Sequence, residues 1–225
     1  NLLPAEPALL KPAPEFRSGS TKENSDREYA SALPPFDPAA AWPHAKPVEP
    51  PQNPFWVMAP GSMAESRRWP IENFAATARM IHSQTGWKGL IVGGPSETKL
   101  ATKLRKLAGD ILSDWTARGT AASYWNVFRT AKFTLSNDSG LAHVAAICGL
   151  PGDSLVHVVW GAGVRERTQP LGPGRVQISF NAVACWPCER NLCFQPAEGK
   201  LKCLRGIEPA AVWKQIAQAI RLNLP

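Results

Sequence analysis

At 225 residues, 44% of them hydrophobic and 19% charged, the chain can build one sizeable core with an extension beside it. No apolar run approaches the ~20 residues that cross a bilayer, and no basic stretch leads into an apolar one at the start, so neither a membrane span nor a secretion signal is expected. The net charge of +7 is uneven, with five Lys/Arg against seven Asp/Glu in residues 1–54 and 20 against 11 in residues 55–225. A basic domain suits an anionic partner such as a nucleotide, a lipid surface or a nucleic acid, although a solvated basic face would have the same charge.

Residues 1–54 contain twelve of the 22 prolines, in clusters such as Pro34-Pro35 and Pro50-Pro51, and show no apolar period of 2 or 3.6. Proline fixes φ and removes a backbone donor, which excludes a central strand or a long helix. This stretch is expected to be a linker or a wrapping extension, and residues 55–225 the folded domain.

From Phe55 the pattern alternates between short apolar runs and amphipathic stretches. Phe55 to Ala59 reads as a buried strand ending at Pro60-Gly61, and Pro70 suits the first turn of the helix that follows. Ile71, Phe74, Ala78 and Ile81 mark one face of that helix. Gly89 to Val92 is the next strand, closed by Gly93-Gly94-Pro95, and Leu100, Leu104 and Leu107 sit at helical spacing after it. A short helix near Ala121–Ala131 precedes a strand at Phe133 to Leu135. A helix then opens after Ser139 and runs to Cys148, where Gly149 and Pro151 stop it. Leu155 to Trp160 is a strongly apolar strand, Val176 to Ile178 a weaker one, and Val212, Ile216 and Ile220 mark a closing helix. Strands alternating with helices predict an α/β fold, a Rossmann-like parallel sheet with helices on both faces.

In such sheets ligands bind at the carboxyl ends of the strands, and three of these loops carry suitable chemistry. In the first, Asn137-Asp138-Ser139-Gly140 leads from a strand straight into a helix. Its free N–H groups suit a diphosphate; Gly140 permits close approach, Ser139 offers a hydroxyl, and His143 follows one turn later. Asp138 would repel a phosphate, so it is expected to cap the helix or bind a sugar hydroxyl. In the second loop, Pro60 to Pro70, Ser62 and the Arg67-Arg68 pair could meet phosphate oxygens. In the third, Glu97 after Gly93-Gly94-Pro95-Ser96 could accept from a ribose diol or simply favour a helix N-terminus. Base selectivity is expected to depend on the chain around Thr120 to Trp125.

Five cysteines are present, and Cys185, Cys188, Cys193 and Cys203 crowd into one late segment. Their C-x2-C-x4-C-x9-C spacing could hold a tetrahedral metal, zinc first, but it is not a standard finger, and reduced thiols or occasional disulfides fit as well. Cys148, inside an apolar helix, reads as a buried small hydrophobe.

Together, Pro60-Gly61-Ser62, Arg67-Arg68-Trp69-Pro70, Gly93-Gly94-Pro95-Ser96-Glu97 and Asn137 through His143 resemble glycosyltransferase family 9, the bacterial heptosyltransferase-like enzymes, over about residues 55–220. The resemblance implies the C-terminal, donor-binding half of a GT-B fold. It places Ser62, Arg67, Glu97, Asp138, Ser139, Gly140 and His143 around an ADP- or UDP-sugar, with Arg67 standing where the family has lysine. It also implies that the catalytic base and the glycolipid acceptor site belong to an N-terminal domain missing here or encoded separately. The setting would be lipopolysaccharide or related glycan synthesis in the cytoplasm, at most peripheral to the inner membrane, with no required cofactor. A sugar-nucleotide epimerase-like protein and a non-catalytic nucleotide-sugar-binding module are the alternatives. Nucleic-acid binding is not expected, because the tryptophans are scattered rather than interleaved with basic residues.

Overall fold

The computed structural model describes residues 36–222. Six strands form one sheet in the order β3-β2-β1-β4-β5-β6, and every neighbouring pair is parallel. The strands are β1 (Phe55–Ala59), β2 (Lys88–Ile91), β3 (Leu112–Asp114), β4 (Thr134–Asn137), β5 (Leu155–Trp160) and β6 (Arg175–Phe180). This is the doubly wound strand order of dinucleotide-binding folds. All residues of β1, β4 and β5 are buried, as expected for central parallel strands covered on both faces.

Among the described residues the helices are α1 (Pro38–Ala41), α2 (Ile71–Thr85), α3 (Thr98–Ala108), α4 (Trp125–Thr130), α5 (Gly140–Cys148), α6 (Arg165–Thr168), α7 (Lys202–Arg205) and α8 (Pro209–Ala219). Helices α2, α3 and α8 cover one face through Phe74, Ala78, Ile81, Leu104, Val212 and Ile216. Helices α4 and α5 cover the other through Val127, Phe128, Ala142, Ala145 and Ala146. The helices after β1 and β2 thus lie on one face, and those after β3 and β4 on the opposite one. Between β1 and β4 the winding reverses, which opens a crevice at their carboxyl ends.

Specific side chains fix this packing. Trp56 stacks on Phe133 with ring centroids 5.5 Å apart. A Cβ on Gly89 would stand 2.7 Å from the Trp56 ring, so glycine in β2 makes room for the indole. Trp69 meets Phe74 edge-on and donates its indole N–H to the Ile207 carbonyl at 3.1 Å. Helix α2 stops at Gly86, whose φ of 71° is the left-handed conformation that glycine adopts freely. Pro70 serves as its N-cap, one position before the predicted one.

The three-residue edge strand β3 has no counterpart in the sequence reading. Leu112-Ser113-Asp114 is too short to show a period, and only Leu112 is fully buried. Of the proline-rich stretch, residues 36–54 wrap rather than dangle. The Val48 N–H donates to the Ser123 carbonyl at 2.8 Å, and Arg129 on α4 donates to the Phe36 carbonyl at 2.9 Å. Residues 1–35 lie outside the described residues.

A fully buried histidine crosses β5, β6 and α8. His157 meets Gln177 Oε1 at 3.1 Å and Ser179 Oγ at 2.9 Å, and Ser179 donates on to Gln215 at 2.7 Å. Burial lowers its pKa from 6.5 to about 4, against the pull of the Gln177 hydrogen bond. Below pH 6.5 the unfolded chain takes up a proton that the folded protein refuses until about pH 4. Stability from this group is therefore complete above that window and falls as pH drops through it, by on the order of 3 kcal/mol. Urea midpoints between pH 7 and 4 should show this acid loss, and a His157→Asn variant that folds should lose that part of the slope.

Candidate functional site

The site begins with Asn137, the last residue of β4 and wholly buried. Its side-chain N–H donates to the Pro60 carbonyl at 2.6 Å, and its Oδ1 accepts the Trp69 N–H at 3.0 Å. One amide thus fastens both ends of the loop after β1 to the end of β4. Ser62 Oγ adds a bond to the Asp138 carbonyl at 3.2 Å. The two arginines in this loop do different work. Arg68 turns back to donate to the Ser62 and Met63 carbonyls at 2.6 and 3.0 Å, holding the loop's shape. Arg67 points at Asp138, with 3.3 Å between Nε and Oδ2.

This ion pair is the polar centre of the crevice. Asp138 is 3% exposed, and burial raises its carboxyl above the usual carboxylate range, opposed by the charges of Arg67 and His143. Arg67 Nε and Asp138 Oδ2 are close but not aligned as a hydrogen bond, and neither has another partner. Buried polar groups are nearly always satisfied, and these two atoms keep capacity for a further hydrogen bond. Of the two roles expected for Asp138, a helix cap or a sugar-hydroxyl contact, the cap is not formed: its carboxylate faces Arg67, and Ser139, the N-cap of α5, makes no side-chain cap bond either. The first N–H groups of α5 therefore lack side-chain caps, and open space lies where a Gly140 Cβ would be. His143 stands exposed one turn on.

Glu97 joins the same edge. Its side chain lies over Gly61 and Gly93, where added Cβ atoms would come within 2.7 and 2.8 Å of it. The glycines at the ends of β1 and β2 are thus the space in which this carboxylate lies. Ser62, Arg67, Glu97, Asp138, Ser139 and Gly140 meet at the carboxyl ends of three adjacent strands.

Other contributors escaped the sequence reading. After β5, Gly161-Ala162-Gly163 passes beneath the site. A Cβ on Gly161 would collide with the Ser66 carbonyl, and one on Gly163 would stand 3.0 Å from Asp138 Oδ2. Two glycines spaced by one after a strand were the available signal. After β3, Trp115 to Arg118 runs beside Gly93, with Ala117 N–H on the Gly93 carbonyl at 2.9 Å and Arg118 stacked 4.1 Å over Trp115. The Thr120–Trp125 stretch is more structural than expected. Thr120 and Ser123 cap a 3-10 turn, and Tyr124 is buried with its hydroxyl on the Trp115 carbonyl at 2.5 Å.

The four late cysteines are free thiols on a segment packed against the Arg67 loop. Burial chiefly pushes the Cys203 thiol up, and the other three lie close enough for their charges to disfavour its thiolate further. Among the described residues no group of three or more His, Cys, Asp or Glu is placed so as to hold a metal ion. Cys148 is buried, and its thiol is pushed up to about 12 by that burial.

Residues 8–197 match glycosyltransferase family 9 (heptosyltransferase), and the chain belongs to that family. The match crosses the compositional boundary at residue 54. The fold is that of solved heptosyltransferases. An Escherichia coli ADP-heptose lipopolysaccharide heptosyltransferase II shares 16% identity at TM-score 0.60, over 97% of this chain and 56% of that one. A family 9 glycosyl transferase from Veillonella parvula shares 17% at TM-score 0.60, over 88% and 52%. An E. coli heptosyltransferase solved with ADP shares 18% at TM-score 0.56, over 76% and 46%. The chain thus spans about half the length of these structures. No curated protein matches the sequence.

Asn137→Ala would leave the Pro60 carbonyl and the Trp69 N–H buried without partners. At ~1–3 kcal/mol for each of the two unsatisfied groups, a loss of about 2–6 kcal/mol is expected in urea unfolding, and an unchanged midpoint would contradict the role given to this amide.

Proposed function

We propose that this family 9 chain is the donor-binding half of a heptosyltransferase-like glycosyltransferase, holding an ADP- or UDP-sugar in the crevice between β1 and β4. The observation that supports this most is the convergence of Arg67, Asp138 and the uncapped start of α5 at the point where the sheet reverses its winding. An anionic diphosphate is the ligand that exposed helix N–H groups and a guanidinium recognise together. Glu97, over the neighbouring strand ends, would take the ribose hydroxyls. Asp138, once Arg67 turns toward phosphate, would accept from the sugar. His143, exposed one turn along α5, would border the diphosphate.

In the transfer, the acceptor oxygen bonds to the anomeric carbon as the bond from that carbon to the diphosphate breaks. The acceptor proton goes to a base, and the nucleoside diphosphate leaves with the negative charge. Within this half, Arg67 and the α5 N–H groups would stabilise that charge as it develops. The base and the glycolipid acceptor site would come from a separate acceptor-binding half. Lipopolysaccharide or a related glycan is the product class we infer, made on the cytoplasmic side with at most peripheral membrane contact. Among the described residues no helix is long and apolar enough to cross a membrane.

The cysteine segment has a structural role in this reading, as metal loop or as thiols. One metal per chain, lost in Cys188→Ser, would mark a metal loop that tightens on loading. Metal-free protein with four titratable late thiols would mark the reduced state.

Calorimetry with ADP, UDP and GDP tests the proposal on the 225-residue chain. We expect micromolar binding of at least one diphosphate, without turnover of its sugar conjugate. Arg67→Ala should weaken that binding about tenfold or more, since charge-assisted hydrogen bonds contribute ~1.5–3 kcal/mol, while Arg67→Lys keeps most of it. Absence of binding by all three nucleotides would overturn the donor-site reading.

A further inference from the structure

The turn that presents Arg67 is held from outside by a segment that belongs to no helix or strand, residues 181–201. Ser66 is 2% exposed, and each of its polar groups is engaged. Its N–H donates to the Asn191 carbonyl at 3.2 Å, its hydroxyl donates to the Arg190 carbonyl, and its own carbonyl accepts the Ala162 N–H at 3.1 Å. Glu65 accepts the Cys193 N–H at 3.2 Å through one carboxylate oxygen and the Lys200 ammonium at 2.7 Å through the other. The segment is itself tied to the loop after β5. Trp186 donates its indole N–H to the Gly161 carbonyl at 2.8 Å, and Glu189 N–H reaches the Ala162 carbonyl at 2.9 Å.

The two residues immediately before Arg67 thus carry the attachments, while Arg67 is left to face the crevice. Resting on the donor-diphosphate reading above, we propose that Glu65 and Ser66 are positioning residues for Arg67, and that residues 190–200 form a strap that sets its reach, with Lys200 as the clasp. The physical need is plain. Arginine has a long stem with large rotamer freedom, so where its Cα sits decides whether the guanidinium meets a phosphate at bonding distance. The Glu65 and Lys200 side chains are 29% and 42% exposed, and such pairs add little to global stability. A pair placed here acts locally instead.

The test compares ADP with AMP, because the strap should matter most for the outer phosphate. In Lys200→Met and in Glu65→Gln, ADP affinity is expected to fall about three- to tenfold, with AMP affinity and Tm unchanged. The exchanged pair, Glu65→Lys with Lys200→Glu, should regain part of the loss. Wild-type ADP binding with both single variants unaffected would overturn the strap and leave the donor reading standing. An equal loss for ADP and AMP with a lowered Tm would show a merely structural contact and also overturn it. A loss in Lys200→Met alone would make Lys200 a direct phosphate ligand, against the positioning role. Failure of the wild-type chain to bind any nucleotide would instead remove the donor reading on which the strap rests.

Discussion

The site depends on one buried side-chain amide. Asn137 ends β4, and its two hydrogen bonds fix the loop after β1 at both its start and its return. Inside a protein such bonds gain strength, because neither partner can turn to water instead. Through this amide the Arg67 loop takes its position from the sheet rather than from its own sequence. Asp138, next in the chain, is carried to the place where Arg67 can face it. An aspartate could accept the Trp69 N–H equally well, but it could not donate to the Pro60 carbonyl.

Around that anchor the charges are balanced but not saturated. Burial alone would favour a neutral Asp138, while Arg67 and His143 pull it toward the charged form. An arginine that is partly exposed and paired without hydrogen-bond alignment keeps capacity for another anion. Arg68 is of the same residue type one position on, yet its bonds to the Ser62 and Met63 carbonyls leave it as part of the scaffold. Adjacent identical residues thus divide into a loop brace and a group that can meet a ligand. The three-dimensional course of the turn gives the two side chains their separate partners.

Much of this was legible in the sequence, for identifiable reasons. Strands such as Phe55–Ala59 and Leu155–Trp160 are continuous apolar runs, because burial on both sheet faces leaves no polar positions. The convergence of Ser62, Arg67, Glu97, Asp138, Ser139 and Gly140 followed from strand–loop–helix order, since parallel strands place all such loops at one end. β3 was illegible because three edge residues with one fully buried position carry no period. Its loop, with Trp115 and Arg118 beside Gly93, went unread with it. The role of Asp138 could not be read locally either. An aspartate before a helix looks like a cap, and only tertiary packing brings Arg67 within 3.3 Å of it. Gly161 and Gly163 offered only their spacing after a strand as a signal, since their reason lies in the neighbouring Ser66 and Asp138 rather than in their own turn.

The bond from Cys193 to Glu65 joins residues 128 positions apart. Contacts that distant close late, because the intervening chain must surrender its freedom before they form. The sheet strands precede residues 190–200 in the sequence, so during synthesis the Arg67 turn is secured by chain made after the sheet. A nascent or partly unfolded molecule can therefore own a nearly complete sheet and still lack a secured Arg67 turn. The position of that turn becomes a mark that the segment after β6 has docked on the sheet.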